Sequence, residues 1–247
     1  MSMLYVYLFL KPVYRDVFKS SLKLKFNTKV MSKLLKFGTA GGVEFLLTFS
    51  AFTTFMAMFH SYGINEAFSA TIVLNWEIVA FMPMFGVSIG LMSLVGKYMG
   101  AERVDYALET IKSGFILSVL VMLVSCILFI FQSEELIKIF LMKGQESYDE
   151  VLKLSVVMLK LVCFYCIANS LNLILSGTLR ASGDTKAVMY IAITSQWTML
   201  VLSYLAIKVL HWDPILTWAL FCCSLFLETL LFSLRFFGGK WKRIKVV

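Results

Sequence analysis

Three carboxylates, Glu44, Glu77 and Glu228, interrupt long runs of apolar residues. A charge at the centre of a bilayer costs roughly 3 kcal/mol on insertion scales, so an acid kept there has a task. It holds a proton or a cation, or it anchors a buried hydrogen bond. Glu44 and Thr48 lie four residues apart and so share one face of a helix. Two readings suit Glu44: a proton or cation site, or an acid near enough to the interface to reach water, since its run begins near Gly38. Glu77 stands six residues before Pro83, which has no N–H to offer the carbonyl of Val79. Glu77 and its neighbour Asn75 therefore read as lining a cavity, or else as lying at the outer interface. Glu228, between Leu227 and Thr229, has no partner within its own stretch and reads at least as well as a structural hydrogen bond.

Amides add a second polar theme. Tyr165, Asn169, Asn172 and Ser176 recur at spacings of four, three and four, which makes one stripe along a helix. The stripe suits a substrate or an ion. It equally suits interhelical hydrogen bonds, each worth about 1 kcal/mol. Gln196 and Trp197 offer an amide and an aromatic face for a flat cation, with ordinary packing as the alternative.

The elements that must carry these residues are membrane helices. Sixty per cent of the residues are apolar and 15% are charged, outside the range of soluble domains. Six apolar runs of spanning length fall at about 37–59, 68–95, 107–131, 151–175, 187–209 and 214–236. The net charge of +8 is not spread evenly, so it points to membrane orientation rather than to nucleic acid. Eighteen of the 23 Lys and Arg gather in residues 11–36, the turns at 96–112 and 176–186, and the C-terminal end from Arg235 onward. The 132–150 loop is acidic instead, with Glu134, Glu135, Glu146, Asp149 and Glu150. The positive-inside rule then places both termini in the cytoplasm of a plasma membrane protein, as an even number of spans requires.

The expected organisation is a preceding helix end and a basic linker over 1–36, a six-helix lobe over 37–236 and a basic tail over 237–247. The first ten residues lack the basic region and cleavage site of a signal peptide. Cys163 and Cys166 have the C-x-x-C spacing, but they lie mid-helix with no redox context and read as packing residues. Only two His residues occur, and no metal-ligand spacing or phosphate loop accompanies them, so an enzyme, a cofactor and a metal site are not expected.

One segment ties these features together: NWEIVAFMPMFGVSIGLMSLVGKYMGAERVD, residues 75–105. It joins Glu77, Pro83 and a seam of small residues at Gly86, Ser88, Gly90 and Ser93 to a turn bracketed by Gly96 and Gly100. A similar turn, SGTLRASGDTK, holds Gly177, Arg180, Gly183 and Asp184. With Phe37-Gly38, Glu44-Phe-Leu-Leu-Thr48 and Ala51-Phe52 before them, these pieces in this order resemble the multidrug and toxic compound extrusion (MATE) family. The likeness covers nearly the whole chain.

The resemblance implies an all-α membrane protein: a six-helix bundle like the second lobe of a twelve-helix transporter, with Met1–Leu10 as the end of span six. It implies one half of an antiporter that exports drugs or organic cations on a proton or sodium gradient, with a first lobe as partner. That lobe would come from a separate chain, a longer parent gene or a second copy. The expected ligand sites are Glu44, Thr48, Asn75, Glu77, Asn169, Asn172 and Gln196. Pro83, Gly86, Gly96, Gly100, Gly177, Arg180, Gly183 and Asp184 are the expected structural positions. Many members of the family carry acids at the Thr48 and Asn169 positions, so the coupling ion stays open here. The alternatives are a flippase for lipid-linked oligosaccharides, which would want basic groups in the cavity, and a fragment without transport activity. Only Lys160 lies deep within a span, away from its ends.

Overall fold

The computed structural model describes residues 27–141 and 147–244. The expected helix end over 1–10 and most of the basic linker lie outside the described residues. Two compact units meet after Thr39. In the first, the described part is helical from Thr28. The second, Ala40–Val247, holds the side-chain contacts and the site below.

With no water in hydrocarbon to satisfy backbone polar groups, apolar runs of this length must wind into helices. Seven α-helices are described: α1 Thr28–Phe59, α2 Ile64–Gly100, α3 Val104–Phe131, α4 Ser133–Lys138, α5 Tyr148–Ala181, α6 Thr185–Tyr204 and α7 Pro214–Phe237. All but α4 are long and apolar enough to cross a membrane. The six spans fall where hydropathy puts them, but several helices outlast their apolar stretch. Hydrogen bonding along the backbone does not stop where lipid does. α6 continues for five residues, Leu205–Val209, wound as a π-helix, and α7 starts on Pro214, whose fixed φ suits a first helical position.

α5 is the central element. In its most apolar stretch 44% of residues are buried, the largest share among the six spans, and it packs on α2, α3 and α7. Close approach is made by small residues. A Cβ on Gly114 of α3 would overlap the Leu91 side chain of α2, and one on Gly177 of α5 would meet the Ser88 hydroxyl at 3.0 Å. That hydroxyl donates to the Leu173 carbonyl at 3.1 Å. α1 joins through large rings instead: Phe55 stacks on Phe221 at 5.1 Å and Phe59 meets Trp218 edge-on at 5.4 Å.

Three features go beyond what spacing and charge convey. Of the seam on α2 only Ser88 is buried, because the helical period sets it with Phe81, Met84, Leu91 and Val95. Gly86, Gly90 and Ser93 turn to a face that this lobe leaves open. The acidic loop contains α4, which is packed rather than loose: Ile137 is fully buried and Trp76 Nε1 donates to the Leu136 carbonyl at 3.1 Å. Lys138 at its end contacts Glu135 at 2.7 Å, and that hydrogen bond holds its ammonium above the usual lysine range. The C-terminal tail does more than carry charge. Trp241 is fully buried, stacks on Phe236 at 5.2 Å and donates from Nε1 to the Phe236 carbonyl at 2.9 Å.

Candidate functional site

Because α1 is held off by rings, a cleft opens between it and the packed helices. Two adjoining cavities of about 280 and 250 Å³ share Phe52, Glu77, Asn169 and Phe221 in their walls. Phe81, Phe85 and Leu173 extend the first; Thr48, Phe49 and Gln196 extend the second. The lining is thus aromatic and aliphatic, with one acid, two amides and a hydroxyl. No lysine or arginine is among these lining residues.

Glu77 is supplied by α2, one turn after Val73, which packs into the core while the acid turns toward the cleft. Its Oε2 is buried and has no hydrogen-bond partner. The hydroxyl of Tyr165, fully buried on α5, faces Glu77 but closes no hydrogen bond of good geometry. A carboxyl and a phenol therefore stand together with unspent hydrogen-bonding capacity. Asn169, one turn beyond Tyr165, reaches the same cleft.

Four of the seven expected ligand residues meet here: Thr48, Glu77, Asn169 and Gln196. The others do not. Asn75 is exposed and its amide returns to the Thr71 carbonyl at 2.8 Å, capturing its own helix rather than the cavity. Asn172 is buried and turned toward Glu228, away from the cleft lining. Glu44 is 7% exposed and forms a two-pronged ion pair with Arg180, Oε1 to Nη2 at 2.6 Å and Oε2 to Nη1 at 3.1 Å. Both its oxygens serve a guanidinium, so it is not a free cation site. Thr48 lines the cleft, but its hydroxyl donates to the Glu44 carbonyl at 2.8 Å.

The structural positions divide likewise. Pro83 lies inside a continuous α2, and Pro83 and Val79 are both exposed. A Cβ on Gly96 would meet the Ala181 carbonyl oxygen at 3.8 Å, ordinary contact, whereas one on Gly100 would stand in open space. Gly183 has φ +87°, the left-handed conformation that favours glycine. Asp184 is clamped by Arg235, Oδ2 to Nε at 2.7 Å and Oδ1 to Nη2 at 3.0 Å, which ties the α5–α6 turn to the end of α7.

Glu228 finds its partner on another helix. Gln196 Nε2 donates to its Oε2 at 3.1 Å, across from α6 to α7. A buried acid in an apolar run was the available signal; the partner, 32 residues away, was not. Lys160 is exposed on the lobe surface, and His60 and His211 are exposed as well. The cysteines are free, with Cys126 and Cys163 each donating to the other's carbonyl, at 3.7 and 3.8 Å.

The family model MatE matches residues 42–205, two thirds of the chain. The chain belongs to the MatE family. A "Probable multidrug resistance protein NorM" of Thermotoga maritima is 30% identical over 176 residues, covering 70% of the MatE chain and 37% of that protein. An "Uncharacterized transporter YisQ" of Bacillus subtilis is 27% identical over 195 residues, covering 76% and 41%. Among solved structures, a MATE in the bent conformation superposes with a TM-score of 0.74 at 10% identity, over 91% of this chain and 47% of that one. A Pyrococcus furiosus transporter whose structure is titled "Reverse polarity of binding pocket suggests different function of a MOP superfamily transporter" gives 0.73 at 15% identity, over 84% and 45%. The fold is that of about half a MATE transporter, with six helices long and apolar enough to cross a membrane. The MatE chain spans less than half the length of the curated relatives and solved structures it matches.

Proposed function

We propose that this lobe forms one wall of a secondary antiporter that exports lipophilic organic cations against a proton or sodium gradient. The observation that carries the reading is Glu77: a carboxylate with an unpartnered oxygen, set in a cleft of aromatic side chains. An unpaired carboxylate is costly in an apolar site, so a proton, a sodium ion or a cationic substrate is favoured beside it. Those three occupants exclude one another, and exclusion is what an antiporter needs. The rings of Phe52, Phe81, Phe85 and Phe221 offer faces to a delocalised cation, while Asn169 and Gln196 orient polar groups. A first six-helix lobe supplies the opposite wall, and rocking of the two lobes alternates access. The positive-inside rule supports a cytoplasmic position for the 101–103 and 182–184 turns.

Binding of tetraphenylphosphonium to the purified chain tests this reading. Glu77→Gln weakens binding at least about tenfold, or ~1.4 kcal/mol, in the expected outcome. Equal affinity of the wild type and the variant sinks the assignment. A flippase for a pyrophosphate-linked lipid is disfavoured by a cleft lining that holds an acid and no basic side chain.

A further inference from the structure

Of the acids withdrawn from solvent among the described residues, Glu44 and Asp184 each have a guanidinium counter-ion, whereas Glu77 and Glu228 have none. Arg180 gives both terminal nitrogens to Glu44. Glu77 lines the cleft. Glu228, 8% exposed, is left with the neutral amides of Gln196 and Asn172, while the Glu44–Arg180 pair lies within electrostatic reach. From the helices around it, α1 presents Glu44, α5 presents Asn172 and Arg180, and α6 presents Gln196.

The placement of the amides matters. Gln196 both lines the cleft and holds Glu228, so the cleft and the second acid are one side chain apart. Asn169, Asn172, Ser176 and Arg180 follow one another along α5 at spacings of three, four and four, a single face about 16 Å long. It starts in the cleft and ends at the Glu44–Arg180 pair, in the last turn before the 182–184 turn. Amides suit a partner that changes protonation state. Their N–H₂ donates to a carboxylate, and their carbonyl accepts from a carboxylic acid once the group turns over. A lysine or arginine at either place would hold Glu228 ionised; an amide permits both states.

We infer that Glu228 is a second protonation site, a relay between the cleft and the Glu44–Arg180 end of the lobe. The inference rests on the coupled-cleft reading above and adds a route to it. The O–H bond of a protonated Glu77 breaks, cleft water beside Gln196 carries the proton, and an O–H bond forms on Glu228. The proton then leaves to water beside Arg180, whose side chain is 33% exposed. Nothing is oxidised or reduced, and the guanidinium remains charged throughout.

Infrared difference spectroscopy of the full chain in lipid vesicles, titrated between about pH 5 and 9, reads carboxylic acid groups directly. The wild type is expected to show two carboxyl bands that titrate. Glu228→Gln removes one of them, and the conservative Glu228→Asp displaces that same band without abolishing it. Glu77→Gln removes the other. If the Glu228→Gln and Glu228→Asp spectra both superpose on the wild type, Glu228 keeps one protonation state and the relay is overturned. If only Glu77→Gln is without effect, the cleft assignment fails while titration at Glu228 is still observed, so the two failures are separable.

Discussion

Glu44 and Glu77 look alike in sequence, each an acid in an apolar run, and they do opposite things. Arg180, 136 residues away, makes the difference by claiming both oxygens of Glu44. Residue spacing reports neighbours on one helix and is silent about a partner on another, so the ion pair and the Gln196–Glu228 bond were not legible. The presence of acids within the apolar runs was. Removing one partner of a largely buried pair leaves a charge uncompensated. Glu44→Gln should therefore cost about 2 kcal/mol, less than a fully buried pair because Arg180 is partly exposed. Denaturant unfolding in detergent micelles checks this, with Arg180→Gln and the double variant completing a cycle. The double variant should be less damaged than the sum of the two single ones. Glu77 predicts the reverse pattern. It has no counter-ion to lose, so Glu77→Gln should leave stability unchanged or raised in the same assay while cation binding falls.

At the scale of elements, the two turns that looked related in sequence close with one hydrogen-bond pattern. The N–H groups of Ala101, Glu102 and Arg103 donate to the carbonyls of Lys97, Met99 and Tyr98. Those of Ser182, Gly183 and Asp184 donate to Thr178, Arg180 and Leu179 with the same offsets. The left-handed position falls to Gly183 in one turn and to Glu102, at φ +58°, in the other. A side chain in that conformation is strained, so Glu102→Gly is expected to stabilise by about 0.5 to 1 kcal/mol, and Gly183→Ala to destabilise by a similar amount. Melting temperatures of the two variants should move in opposite directions. The spans were legible because hydropathy alone demands helices there. Which face of α2 is buried was less so, since small residues lie on two faces and only packing against α5 selects Ser88.

For the molecule as a whole, the cleft has walls on one side. Phe45, Phe49, Ile78 and Phe85 at its edge are 69%, 55%, 57% and 52% exposed. Exposed apolar residues are ordinary against lipid, but these cluster about Glu77, where lipid tails would leave the acid unsolvated. The first lobe proposed above would cover this edge and resolve the conflict, a reading in keeping with a chain that spans less than half of its relatives. Cysteine labelling distinguishes lobe from lipid. Cys223, which is exposed, is first replaced by Ser, and Phe85→Cys is then introduced beside the cleft. Ile127→Cys, 55% exposed on α3 and outside the cleft lining, serves as the reference. A membrane-permeant maleimide should label both sites when the chain is expressed alone. Co-expression with a first lobe from a MATE relative should protect Phe85→Cys and leave Ile127→Cys as reactive as before. Equal protection of the two, or of neither, would mean that this edge is not where a second lobe docks.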